Sequence, residues 1–277
     1  MKKKLLSLCL LFAVTAVDAQ KKCKHDDADI AEYKLNDGKS IRGYNLGWRT
    51  VSNNVGPVHL GTRITHMVYA DTLSCKEHKI PIAEVKQVIR YDAEGDVYGI
   101  KDKISYRTIE DNGQPSSKTS TILENLIYDG KIKIYGSNVS FCEGSICWYS
   151  HSTFYLKNNV DTEAVLAVRP KGQFTKKWGS SIENMVDAFR VAGGKCKAFN
   201  DYLDYFDKEI MQKQQLNEKL QKEEFPELYK SALQHYKDRK KNGYEGSLND
   251  LISTRIQERQ LEIYVGIARE YEKNCEH

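Results

Sequence analysis

The sequence predicts an α+β protein: an antiparallel β-sandwich or open barrel, followed by a helical C-terminal region. Two observations carry this. From about Ile30 to Val168 the chain consists of short alternating runs separated by turn residues, with no helical stretch between them. From Ser180 onward the apolar residues recur at helical spacing. The expected organisation is a signal peptide at 1–19, a flexible arm at 20–29, an antiparallel β domain at 30–172 and a helical region at 173–277.

The leader is read from its three parts. Lys2, Lys3 and Lys4 form a positive start, "LLSLCLLFAV" is an apolar core, and "VDA" places small residues before Gln20. The apolar run falls short of the roughly 20 residues of a membrane span. Leu8 stands where a lipidation motif before Cys9 wants a small residue. Six cysteines remain after cleavage: Cys23, Cys75, Cys142, Cys147, Cys196 and Cys275. An even number in an exported chain reads as disulfides, and composition alone leaves their connectivity open. No later segment is apolar enough to span a bilayer. The net charge of +4, half of it in the leader, gives no reason to expect nucleic acid as a partner.

The strands follow in order. "IAEYKL" and "SIRGY" flank Asn36-Asp37-Gly38, residues that accept positive φ and mark a hairpin. "RITHMVYA" alternates, placing His66 on its apolar face. "VKQVIRYD" and "DVYGI" flank "AEG". "KISYRTI" runs into a loop at Asn112-Gly113, and Asp129-Gly130 separates two apolar runs. "STFYLK" and "EAVLAVR" flank "NNVD". Pro170-Lys171-Gly172 marks the junction. Ser180 and Glu183 then form a capping box, in which each side chain satisfies an orphan N–H group. Gly193-Gly194 ends that first helix. A second, largely polar helix is expected over about 197–223. A third starts at Pro226 and stops at Asn242-Gly243, and a last one is capped by Ser247.

The chain resembles an uncharacterised group of secreted proteins found in Bacteroidetes bacteria. The resemblance rests on "LNDGKSIRGY", "IPIAEVKQVIRYD", "ENLIYDGKIKIYG", "TFYLKNN", "KCKAF" and "REYEKNC". It covers most of the mature chain, and none of its motifs is catalytic. It implies a β domain with a helical tail, and a bond between Cys196 and Cys275. The pattern lacks the pair Cys142–Cys147, and its terminal Tyr-Asn is Tyr271-Glu272 here.

"FCEGSICWYSH" looks most like chemistry. Zinc sites bring two such cysteine pairs or two spaced histidines, and redox pairs are C-x-x-C at a helix start. Cys142 and Cys147 instead flank "EGSI" between two strand-like runs, so they are expected to clip a hairpin. His59, His66 and His78 lack a spacing that fixes two metal ligands on one face. "HDDAD" at 25–29 lacks a calcium-loop pattern and reads as a solvated acidic arm. Glu124 and Glu143 are a conceivable carboxylate pair for glycoside hydrolysis. No nucleophile elbow, P-loop or dinucleotide fingerprint is present. "KDRKK" at 237–241 reads as a solvated helix end. Tyr202, Tyr205 and Phe206 fall on more than one face of their helix and are candidate binding-surface aromatics.

The expected function is an exported, non-catalytic binding module of the bacterial envelope. No cofactor, metal or catalytic residue is expected, and its partner is an unidentified macromolecule or carbohydrate. The alternatives are a hydrolase whose site is assembled from separate strands, and a scaffold acting through the C-terminal helices around 205–224.

Overall fold

A computed structural model describes residues 24–25, 28–55, 58–110, 112–143, 146–167, 184–243 and 247–275; over 51–63 and 137–152 the account concerns the backbone alone. Contacts divide the chain into two compact units, Met1–Ile100 and Lys101–His277. The division falls inside a strand, whereas the expected boundary near 172 follows the change from strands to helices. The capping box at Ser180 and Glu183 lies outside the described residues.

In the first unit, β1 (Ile30–Leu35), β2 (Ser40–Val55), β3 (Val58–Ala70), β4 (Glu77–Pro81) and β5 (Val85–Tyr91) pair in the order β5-β1-β2-β3-β4. Gly38, at φ +86°, turns the chain from β1 into β2, and the Leu35 amide donates to the Lys39 carbonyl at 2.8 Å. That turn sets the register Tyr33↔Ile41 and Glu32↔Arg42. Further along, the β2–β3 register slips between Asn45 and Trp48, with Gly47 at φ +85°. The Asn45 side-chain oxygen holds this bulge, accepting the Gly47 amide and the Tyr33 hydroxyl, each at 3.1 Å. Gly43 is required for a different reason. A Cβ there would lie 2.5 Å from the Ala70 carbonyl oxygen and 2.8 Å from the Tyr69 ring. With that space open, Tyr69 reaches Tyr33 at 5.7 Å and stacks on His78 at 5.2 Å. Burial pushes the fully enclosed Tyr33 phenol well up.

The second unit contains most of β6 (Val97–Thr108), then β7 (Ser120–Tyr128), β8 (Ile132–Glu143), β9 (Ile146–Asn158) and β10 (Glu163–Leu166). Neighbours pair antiparallel in sequence order, and β10 also pairs with β6 in parallel, through Glu163↔Ser105 to Leu166↔Thr108. The pairing therefore closes on itself, by a parallel contact that hairpin patterns do not announce. Inside lie Ile104, Tyr135, Tyr155, Ala164 and Leu166. The opposite face of the same strands, including Ile132, Ile134, Phe154, Leu156 and Val165, joins the helical core.

The helices that cover this face are α1 (Met185–Gly193), α2 (Lys197–Tyr205), α3 (Leu216–Lys219), α4 (Phe225–Lys241) and α5 (Leu248–Asn274). Gly194 at φ +58° ends α1, and Gly243 at φ +83° follows α4. The long helix expected over 197–223 is interrupted. It passes into a π-helical turn at Phe206–Lys213 and stops where Gln215 adopts φ +51°. A second π-helical turn, Leu220–Glu224, runs directly into α4. Pro226 cannot donate to the turn before it, which is the turn that widens.

Phe154, Phe189 and Tyr264 form the aromatic centre of the core, with centroids 4.5 Å and 5.6 Å from Tyr264. At its end, buried Asn158 donates to the Ala192 carbonyl at 3.0 Å and to the Tyr271 hydroxyl at 2.9 Å. Glu272 accepts the Tyr128 hydroxyl and the Lys131 amide, and the Lys131 ammonium reaches the Cys275 carbonyl. Beside them Cys196 and Cys275 are bonded across 79 residues of sequence, the pair that the resemblance implies. Cys75 is also disulfide-bonded. Among the described residues no helix is long and apolar enough to cross a membrane.

A bridge that closes so long a loop is worth about 2–5 kcal/mol, mainly by restricting the unfolded chain. We expect the double variant Cys196→Ala/Cys275→Ala to lose stability in that range in denaturant titration, through a lower midpoint. An unchanged midpoint would show that helix packing alone holds α5.

Candidate functional site

The strongest candidate for catalysis is a pair of acids inside the ring of strands. Asp102 on β6 and Glu124 on β7 are directly opposed in the register. Glu124 is buried, and one of its oxygens accepts the Asn125 backbone amide at 2.9 Å. Asp102 accepts the Tyr135 hydroxyl at 3.0 Å. Tyr155 packs edge-on against Tyr106 at 4.8 Å. Burial raises the phenols of Tyr135 and Tyr155, so both stay protonated as donors. The arrangement satisfies polar groups within a packed interior. Glu143, the expected partner of Glu124, is not beside it. The β7–β8 register puts it six residues beyond the position opposite Glu124, about 20 Å along the strand.

A cleft of about 480 Å³ lies beside the Cys196–Cys275 bond, lined by Asn158, Val160, Asp161, residues 191–198, Tyr271 and Asn274. Its buried polar group, Asn158, is occupied by Ala192 and Tyr271, so it locks the fold. Asp161 sits at the rim with its carboxyl raised by burial, against the opposing pull of Lys157 and Arg107.

The third candidate is the face of the first unit that carries Glu32, Ser40, Arg42 and Tyr91. The register places these residues on one side of β5-β1-β2, opposite the side that buries Ala31, Tyr33 and Val88. Glu32 is the hub. One carboxylate oxygen accepts the Ser40 hydroxyl in a short bond, and the other accepts the Tyr91 hydroxyl at 2.9 Å. The Arg42 guanidinium lies 4.6 Å above the centroid of the Tyr91 ring. Arg42 is exposed and forms no ion pair among the described residues. Hydrogen bonds from Ser40 and then Tyr91 hold the Glu32 carboxyl below its ordinary range, aided by Lys34 and Arg42. The bond to Glu32 in turn holds the Tyr91 phenol above its own. The result is a flat guanidinium over a ring, with no ion pair among the described residues, on a network that stays in one protonation state around neutral pH. On the opposite side of the sheet Arg90 lies 4.9 Å over Tyr98, whose hydroxyl makes a short bond to Asp29.

The aromatic residues singled out in the sequence separate. Tyr205 is 59% exposed, as expected of a surface aromatic. Phe206 is 8% exposed and belongs to the core, because it follows Leu203 by three residues and Phe199 by seven along the helical repeat, and both of these are buried. Tyr202 is half-buried, between Phe199 at 6.3 Å and Phe206 at 6.1 Å. These three therefore make no common binding face. His66 is half-buried and meets the Thr65 hydroxyl oxygen at 3.0 Å, while His78 stacks on Tyr69 from the other side of the sheet. The side chain of His59 lies outside the described residues, and no metal-holding cluster is found among the described ones. The register places Cys142 opposite Cys147, as a clip needs, with two residues between Glu143 and Ile146. Their side chains, and Cys23, lie outside the described residues. In the acidic arm, Lys24 and His25 reach Glu77, and Asp29 holds Tyr98. These residues are tied to the first unit, unlike a free arm; Asp26 and Asp27 lie outside the described residues.

No family model, curated protein or solved structure matches the chain. The sequence reading missed the Glu32 network. Half of it was within reach, because counting outward from the Asp37–Gly38 turn pairs Glu32 with Arg42. Tyr91 enters only through the β1–β5 pairing, which no local pattern fixes.

The lowered Glu32 carboxyl makes a signed prediction. Its contribution to stability is complete above the ordinary carboxylate value of 4.5 and is lost as pH falls through the lower folded value. Glu32→Gln should therefore be less stable than the wild type at neutral pH, with the difference shrinking on acidification. Denaturant midpoints across the acid range measure it, and a difference that grows on acidification would refute the assignment.

Proposed function

We propose that the protein is an exported, non-catalytic binding module of the bacterial envelope, with Arg42 over Tyr91 at the centre of its binding face. One observation carries the reading: an exposed guanidinium is positioned over a ring that a carboxylate network holds, and it makes no ion pair among the described residues. Such a group recognises the oxygens of a macromolecule or carbohydrate without further ordering cost. The protonation shifts favour binding over proton transfer. A general acid or base is tuned toward neutrality, whereas Glu32 is moved down and Tyr91 up. Export rests on the leader pattern and on the disulfides, which belong to an oxidising compartment.

The test is binding of the mature protein to carboxylated polysaccharides (alginate, polygalacturonate) and to neutral dextran, by calorimetry. Binding to a carboxylated polymer is expected. Arg42→Ala and Tyr91→Phe separate the guanidinium from its positioning. The first should weaken binding about tenfold or more, the effect of losing a charge-assisted contact. The second should weaken it less. Equal affinity for Arg42→Ala and wild type would remove this face from the account. Release of reducing ends that stops in Glu124→Gln would replace binding by hydrolysis.

A further inference from the structure

We propose that α4 seats the protein on an anionic phospholipid surface, a function separate from the Arg42 face. Lys230, Gln234, Lys237, Lys240 and Lys241 are spaced three, four and seven residues apart, which puts them along one side of α4. Several lysines on the preceding helices are spent on an acid: Lys197 on Asp201, Lys213 on Glu209 and Lys222 on Glu218. Lys230, Lys237 and Lys240 make no ion pair among the described residues, and Lys241 only approaches Asp238, at 4.0 Å. Asp238 itself accepts from the Gln234 side chain.

These lysines are not needed to cap the helix. The Asp238, Arg239 and Lys240 carbonyls already accept from the Asn242 side chain, the Asn242 amide and the Gly243 amide. Charge complementarity therefore calls for an anionic partner. The shape narrows the choice. Gln234, Tyr236, Lys237, Lys240 and Lys241 line an open concavity of about 550 Å³ whose walls are mostly apolar, from lysine stems and the tyrosine ring. Tyr229, 47% exposed, extends this surface two turns earlier. Ammonium groups rimming apolar stems and tyrosine rings match an interface in which phosphates lie above acyl chains. A hydrophilic polymer would leave that apolar lining unused.

The experiment is co-sedimentation of the mature protein with phosphatidylcholine vesicles, with and without phosphatidylglycerol. Binding is expected only with phosphatidylglycerol, and should weaken as salt rises. Each basic residue at such a surface is worth about fivefold, so Lys230→Gln/Lys237→Gln/Lys240→Gln should lose on the order of a hundredfold in partition coefficient. The charge-matched control Lys79→Gln/Lys86→Gln/Lys118→Gln should retain binding. Polysaccharide affinity of the α4 variant should stay at the wild-type value, so failure here is distinct from failure of the Arg42 face. Three results would each overturn the proposal: no wild-type binding to anionic vesicles, equal loss in both triple variants, or binding to alginate that depends on the α4 lysines.

Discussion

Strands β8 and β9 must bury both of their faces, and the second unit is built to meet that demand. Ile132, Ile134, Phe154 and Leu156 point one way, and Tyr135 and Tyr155 the other. A strand buried on both sides needs a packed layer on each. Closure through β10 and β6 encloses the tyrosines, and the helices cover the aliphatic side. The helical region is consequently not a separate tail, since Met185, Phe189, Phe199, Tyr264 and Tyr271 share one core with the strands. Asn158, Glu272 and the Cys196–Cys275 bond fasten the end of that core. They act on the last turn of α5, where helices fray first.

The same demand accounts for the buried chemistry. Asp102, Glu124 and the tyrosines near them are the polar residue of a small closed ring whose interior is not wholly apolar. Each named acid oxygen accepts a donor, and the phenols stay protonated. In the first unit the polarity is reversed. There the network sits on an exposed side of the sheet, with the Arg42 guanidinium over the Tyr91 ring. The proposed binding face thus lies on the exposed arginine of the first unit, apart from the converging acids of the second.

Local chemistry was legible in the sequence and non-local pairing was not. The turns at Asp37-Gly38 and Asp129-Gly130, the helix ends at Gly194 and Gly243, and the opposition of Cys142 to Cys147 all follow from neighbouring residues. Closure by β10–β6 joins residues far apart in the chain, so no turn predicts it. The interruption at Gln215 escaped for another reason. A glutamine in the left-handed region carries no signal in composition, and "MQKQQLNEKLQKEE" has good helix propensity throughout. The expected aromatic surface dissolved for a simpler reason: Phe206 shares the inward face of Phe199 and Leu203, and of the three candidates only Tyr205 stays exposed.

The claim that most needs a direct measurement is that the Glu32 network is fixed for recognition and not poised for proton transfer. Carboxyl carbon shifts of Glu32, followed by NMR across the acid range, report its titration in the folded protein. The account predicts a midpoint below the ordinary 4.5, with the Arg42 guanidinium protons responding to the same event. A Glu32 that titrates near neutrality would contradict it, because a carboxyl so tuned belongs to an acid–base catalyst.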